Sequence, residues 1–174
     1  FPDLSEDFFP SNIRSLTQDE EGNNFSTAKI KSLVPDHDVL CAGFPCQPFS
    51  KSGAQEGFGD QTRGTLFHDI CTLAEKHKPA VLFLENVPNL VAHDKGNTMK
   101  VIESRIEEMG YKHWWKIISP HNYGTPQTRK RVYIVCIRND LVQDFEYTFP
   151  KERHYDLDIR TILDESVDEK YSMN

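Results

Sequence analysis

The spacing of hydrophobic positions along the chain changes several times, and each change marks an element. "DVLCAGF" (38–44) is a short, almost unbroken apolar run and predicts a buried strand. Residues 45–64 are rich in Pro, Gly, Ser and Gln and predict a long loop. "TLFHDICTLAEKHK" (65–78) repeats apolar residues at Leu66, Ile70, Leu73 and Ala74, a helical period that Pro79 ends. "AVLFLENV" (80–87) is a continuous apolar run that stops at Glu85, which predicts a buried strand with a carboxylate at its carboxyl end. "NTMKVIESRIEEMGY" (97–111) predicts a second helix. Asn97 or Thr98 would be its N-cap and Gly110 its stop, with Val101, Ile102, Ile106 and Met109 as the inner stripe. Residues 111–119 and 131–139 predict two further strands, joined by a loop over 120–130. After Asp140 the pattern fades and acids dominate.

Strand–helix–strand–helix–strand alternation predicts an α/β layer fold with a largely parallel sheet. Ligands of such sheets bind beyond the carboxyl ends of the strands. Cys46 follows the first strand and Glu85 ends the second, so the fold places a thiol and a carboxylate on one rim. Cys46 lies between Pro45 and Pro48, and proline fixes the backbone that would present the thiol as a nucleophile. The alternative is an incidental or buried cysteine. Glu85 follows five apolar residues, and burial would raise its pKa and suit it to donate a proton. The alternative is a surface carboxylate. Arg129 and Arg131 enter a strand two positions apart, which would put both on one face; a solvated basic edge is the alternative.

The length of 174 residues suits one domain with a real core, and the composition is that of a globular protein, 37% hydrophobic and 27% charged. No apolar run approaches the ~20 residues of a membrane helix, and no secretory signal is visible. Four cysteines without a C-x-x-C pair suggest neither a disulfide scaffold nor a zinc site, so no metal is expected and a reduced cytoplasm is the expected setting. The net charge of -7 is uneven: residues 22–139 carry 15 bases and 11 acids, while the two ends hold the remaining acids. Global acidity therefore leaves room for a local basic face without arguing for one.

Four segments then occur in one order: "GFPCQPFSKSG", "RGTLFHDI", "FLENVPNL" and "YGTPQTRKRVYIV". Together they resemble the catalytic half of the cytosine-5 DNA methyltransferases of bacterial restriction–modification systems and their eukaryotic relatives, over about residues 36–140. The resemblance implies a Rossmann-like S-adenosylmethionine-dependent methyltransferase sheet flanked by helices, incomplete at both ends. Residues 1–150 would belong to the catalytic domain, and 151–174 would be a linker or the start of a target-recognition domain. It implies S-adenosylmethionine as methyl donor and double-stranded DNA as partner. It also implies a monomer in the bacterial cytoplasm, with a cognate restriction enzyme encoded nearby.

The resemblance further assigns roles. Cys46 would add to carbon 6 of a flipped-out cytosine, Glu85 would hydrogen-bond ring nitrogen 3, Arg129 would hold the exocyclic oxygen, and Arg131 would brace the loop carrying Cys46. Ile13, Pro45 and Leu66 would lie near the methyl donor. Gln47, Ser50 and Ser52 would lie on a loop that closes over DNA, hinged at Gly53, Gly57, Gly59 and Gly64. Asn86 and Val87 would frame the pocket around Glu85, and Gln127 would be structural.

The family's opening Phe-x-Gly-x-Gly loop and ribose-holding acid do not occur here. "FFPSNIRSL" (8–16) aligns with the family's Gly-Asp-Ile segment, with Asn12 in place of Asp and Ile13 matching; a plain strand is the alternative. The chain is thus expected to be the middle of an enzyme, without methyl transfer by itself. Other readings are a cytosine-5 tRNA methyltransferase with the same motifs, a catalytically inactive methyltransferase-like regulatory subunit, and, more distantly, a thiol redox protein pairing Cys41 with Cys46.

Overall fold

A computed structural model describes residue 10 and residues 12–45, 65–142, 145–153, 155, 158 and 160. Cys46, Gln47, Ser50, Ser52 and the four loop glycines lie outside the described residues, as do 1–9 and 161–174.

The described residues open with a 3-10 turn, Ile13–Leu16, followed by helix α1 (Thr27–Leu33) and strand β1 (Val39–Gly43). The alternative of a plain strand through Ile13 is therefore excluded, because Asn12 caps the turn by accepting from the Arg14 amide. Helix α2 (Leu66–His77) begins where the Thr65 hydroxyl accepts from the His68 amide and ends at Lys78, which turns left-handed at φ 51° before Pro79. Strand β2 (Val81–Asn86), a short helix α3 (Asn89–Ala92), helix α4 (Asn97–Glu108), and strands β3 (Tyr111–Ile118) and β4 (Arg131–Arg138) follow.

The start of α4 differs from the expected side-chain cap. Gly96 is the N-cap and supplies no side chain. Asp94, Lys95 and Gly96 all have positive φ, at 48°, 56° and 86°, so the chain enters the helix from a left-handed run. Thr98, offered as a cap, is buried and bonds the His93 ring at 2.6 Å.

The four strands form one sheet in the order β1-β2-β4-β3. β1 and β2 pair in parallel, whereas β4 pairs antiparallel with both β2 and β3. β1, β2 and β3 thus share a direction, as the alternation predicts, but β4 runs against them and inserts between β2 and β3. The expected largely parallel pairing is corrected here, for a local reason. The connection from β3 to β4 contains only the 3-10 turn Pro120–Tyr123, closed by Gly124 at φ 90°, and no helix that would carry the chain over the sheet for a parallel return.

Helices α2 and α4 supply the core that covers one face. Phe67, Ile70, Cys71, Ala74, Ile102, Ile106 and Met109 pack with Leu82, Leu84, Val132, Ile134 and Cys136 from the strands. Burying each large aliphatic side chain contributes roughly 1.5–3 kcal/mol, so this layer is the main source of rigidity. The inner stripe read from the sequence is buried as expected. Burial pushes the Cys71 thiol up to about 12 and the Cys136 thiol higher still, which marks both as packing residues.

The N-terminal turn is fastened to α2 through a buried carboxylate. Asp69 accepts from the Thr17 hydroxyl at 2.7 Å and from the Gln18 amide at 3.2 Å, with the Arg14 guanidinium at 3.7 Å. A buried charge requires such partners. The link also brings half-buried Ile13 against the core.

Candidate active site

Most of the site residues described by the structure, Arg129 excepted, lie near where β1 and β2 end. The parallel register pairs Gly43 with Glu85. The approach at this glycine is close: a Cβ at residue 43 would lie 3.2 Å from Glu85 Oε2, so the carboxylate would have to shift by a few tenths of an ångström. Along β2, Leu82, Leu84 and Asn86 are buried, while Glu85 alternates onto the opposite face with Phe83.

Glu85 is partly buried, as its apolar predecessors predict. Its side chain retains 35% exposure, and its partner is Arg131, whose Nε lies 2.7 Å from Oε1. Arg131 also donates from Nη1 to the Lys130 carbonyl at 2.7 Å. The pairing follows from the inserted strand, which places the first residue of β4 across the end of β2. The pair is partly buried, with Glu85 the more exposed partner, so it opens to solvent on the carboxylate side.

Arg129 is not brought to Glu85. The strand starts at Arg131, so the alternation that would put both arginines on one face does not reach residue 129. Arg129 is exposed, on the loop. Gln127 contributes through its main chain, its carbonyl accepting from the His121 amide at 2.9 Å.

Asn86 is 2% exposed and donates from Nδ2 to the Phe44 carbonyl at 2.7 Å, while its Oδ1 accepts from the Val87 amide at 2.8 Å. The amide therefore holds the exit of β1, one residue before Pro45 and two before Cys46. This brace was not legible as such in the sequence, where bracing fell to Arg131. Val87 itself is 39% exposed at the rim. Pro45 and Leu66 flank the contact between the Phe44 and Phe67 rings, whose centroids are 5.1 Å apart, and Ile13 packs on the same cluster.

A Rossmann-like sheet carrying an acid–guanidinium pair at the carboxyl ends of its parallel strands defines the class of protein. The chain belongs to the C-5 cytosine-specific DNA methylase family, whose model matches residues 7–174. It is 43% identical over 147 residues to the Type II methyltransferase M.HhaI of Haemophilus parahaemolyticus, covering 84% of this chain and 45% of that protein. It is 48% identical over 136 residues to the Type II methyltransferase M.MspI of a Moraxella species, covering 78% and 32%. The chain thus spans less than half the length of these relatives. Among solved structures, it resembles a Spodoptera frugiperda DNMT2 (TM-score 0.60, 22% identity, 84% of this chain and 44% of that one). It also resembles the Entamoeba histolytica methyltransferase EhMeth (TM-score 0.59, 22% identity, 95% and 47%). At that identity the likeness bears on the fold alone.

Proposed function

We propose that the protein containing these residues transfers a methyl group from S-adenosylmethionine to carbon 5 of a cytosine in double-stranded DNA. The observation that carries this reading is the pairing of Glu85 and Arg131 over Gly43, beside the chain exit that leads to Cys46. The two groups offer one acceptor and one multiple donor side by side, which complements the polar edge of a pyrimidine. Type II methyltransferases at 43% and 48% identity favour DNA over transfer RNA as substrate.

In this reading the thiolate of Cys46 adds to carbon 6 of a base flipped from the helix. Glu85, protonated once Arg131 has left it, donates to ring nitrogen 3 and offsets the negative charge that develops there. Arg131 leaves its partly exposed pair to hold the exocyclic oxygen, because it is the guanidinium already beside Glu85; Arg129, on the loop, keeps a supporting role. Asn86 fixes the Phe44 carbonyl and so limits the positions open to Cys46. Carbon 5 then takes the methyl group, the donor's sulfur departing as a neutral thioether; carbon 5 gives up its proton to water, and Cys46 is expelled as the thiolate. Gln47, Ser50 and Ser52 would meet the DNA.

The residues present fit one end of the methyl donor. Ile13, Pro45 and Leu66 adjoin the aromatic pair Phe44 and Phe67 at the carboxyl end of β1, an apolar setting suited to a flat adenine ring. S-adenosylmethionine supplies an electrophilic methyl group when bound. A monomer, a bacterial cytoplasmic setting and a cognate restriction endonuclease complete the proposal.

The test is tritiated methyl incorporation by the complete protein into duplex DNA and, in parallel, transfer RNA. Label in duplex cytosine supports the proposal; label confined to RNA, or none in either, removes it.

A further inference from the structure

Residues 145–153 lie across the second face of the sheet. The Tyr147 ring packs 5.9 Å from Trp114 and meets Phe149 edge-on at 5.0 Å. Beyond these rings the arm grips the turn between β3 and β4. Tyr123 donates its hydroxyl to the Pro150 carbonyl at 3.0 Å, and the Arg153 amide donates to the Asn122 carbonyl at 3.1 Å. Glu152 bridges two elements, with Oε1 2.8 Å from Lys116 Nζ and Oε2 accepting from Asn122 Nδ2 at 2.7 Å.

The gripped turn is coupled to the arginines. The Thr125 amide bonds the Pro120 carbonyl at 3.2 Å, the Gln127 amide bonds the Thr125 carbonyl at 2.7 Å, and the Gln127 carbonyl accepts from His121. Asn122 is thereby tied by backbone to a residue two positions before Arg129. On the sheet, Lys116 faces Tyr133 and Ile118 faces Arg131, so Lys116 and Arg131 lie on the same face of neighbouring strands. Lys116 holds the Glu152 carboxyl below its ordinary range, and Glu152 raises the lysine in return, so the pair is charged at neutral pH.

We propose that Glu152 is a positioning residue for the arginine loop: by bridging Lys116 on β3 and Asn122 in the turn, it sets where Arg131 meets Glu85. This rests on the methyl-transfer reading of that pair. Single exposed ion pairs add little to global stability, so the bridge acts on geometry more than on folding. Small displacements of a group at a reacting centre cost large factors in rate.

The experiment uses the complete protein with Lys116→Glu, Glu152→Lys and the reciprocal double variant. Each single reversal is expected to lower kcat for methyl transfer about tenfold, with KM for the donor nearly constant, and to speed hydrogen exchange at the amides of residues 121–127. The double variant is expected to recover both. Wild-type kcat in the single variants, unchanged loop exchange, or a double variant no better than the singles would overturn the proposal. Should a single reversal fail to fold, Glu152→Gln keeps the size and the Asn122 bond while removing the charge, and an intermediate loss of rate is expected; none overturns the proposal. If the wild-type protein transfers no methyl group, the methyl-transfer reading falls. The exchange series then decides the bridge alone: protection lost and regained supports it, and unmoved protection overturns it.

Discussion

The two ends of the sheet are built to opposite rules. Where β2 begins, main-chain and side-chain groups close on one another. Tyr111 donates its buried hydroxyl to the Pro79 carbonyl at 2.8 Å, and Lys78 donates to the Met109 carbonyl at 3.1 Å. Arg138 pairs with Asp140 and reaches the Lys78 carbonyl, while the Asn139 amide bonds the Gly110 carbonyl at 2.9 Å. Where β2 ends, Glu85 and Arg131 share one partly exposed contact, Val87 is open, and Arg129 is exposed on its loop. One end spends its polar groups on the fold; the other commits Asn86 and the Glu152 bridge to it but leaves Glu85 and Arg129 accessible. The contrast teaches that rigidity at the closed end lets the open end stay under-committed without losing its geometry.

The comparison is broken or sharpened by substitution at each end. Cys46→Ser is expected to lower methyl transfer by the complete protein at least ~10³-fold; retained turnover in a methylation assay would remove Cys46 as nucleophile. Arg131→Ala is expected to cost roughly 10²-fold in kcat/KM and Arg129→Ala clearly less, and equal losses would dissolve the distinction drawn from the strand start. Gly43→Ala places a methyl group 3.2 Å from Glu85 Oε2. It is expected to reduce kcat about tenfold with nearly constant Tm; a large fall in Tm would mean the rim is a stability element after all. At the closed end the expected signs reverse: Tyr111→Phe strands the Pro79 carbonyl and is expected to cost about 1–2 kcal/mol in denaturant unfolding, without changing kcat. Smallest, Lys95→Gly relieves a left-handed residue and is expected to add about 0.5–1 kcal/mol in the same measurement.

Much of the closed end was legible in the sequence, because Pro79 and Gly110 punctuate the chain where α2 and α4 stop. Local periodicity also located β1, β2, β3 and β4 to within a residue or so. Strand order was not legible, since pairing of β4 with β2 joins segments about fifty residues apart and leaves no local mark. The open end was half legible. Glu85 and the arginine motif stood out by type and spacing, but which arginine faces Glu85 depends on where β4 starts. Gly43 is a weak sequence signal, a glycine at a strand end where the neighbouring carboxylate approaches closely. The grip of residues 145–153 had none, because its contacts join irregular backbone such as Asn122 and Glu152, thirty residues apart.

The insertion of β4 between β2 and β3 also dictates when the site comes into being. Its last strand must slot between two neighbours laid down earlier by the chain, and distant pairings of this kind are slow to form. On a ribosome, Glu85 emerges well before Arg131, so a half-made polypeptide holds the acid without its cation. The Glu85–Arg131 pair therefore arrives late, with closure of the sheet.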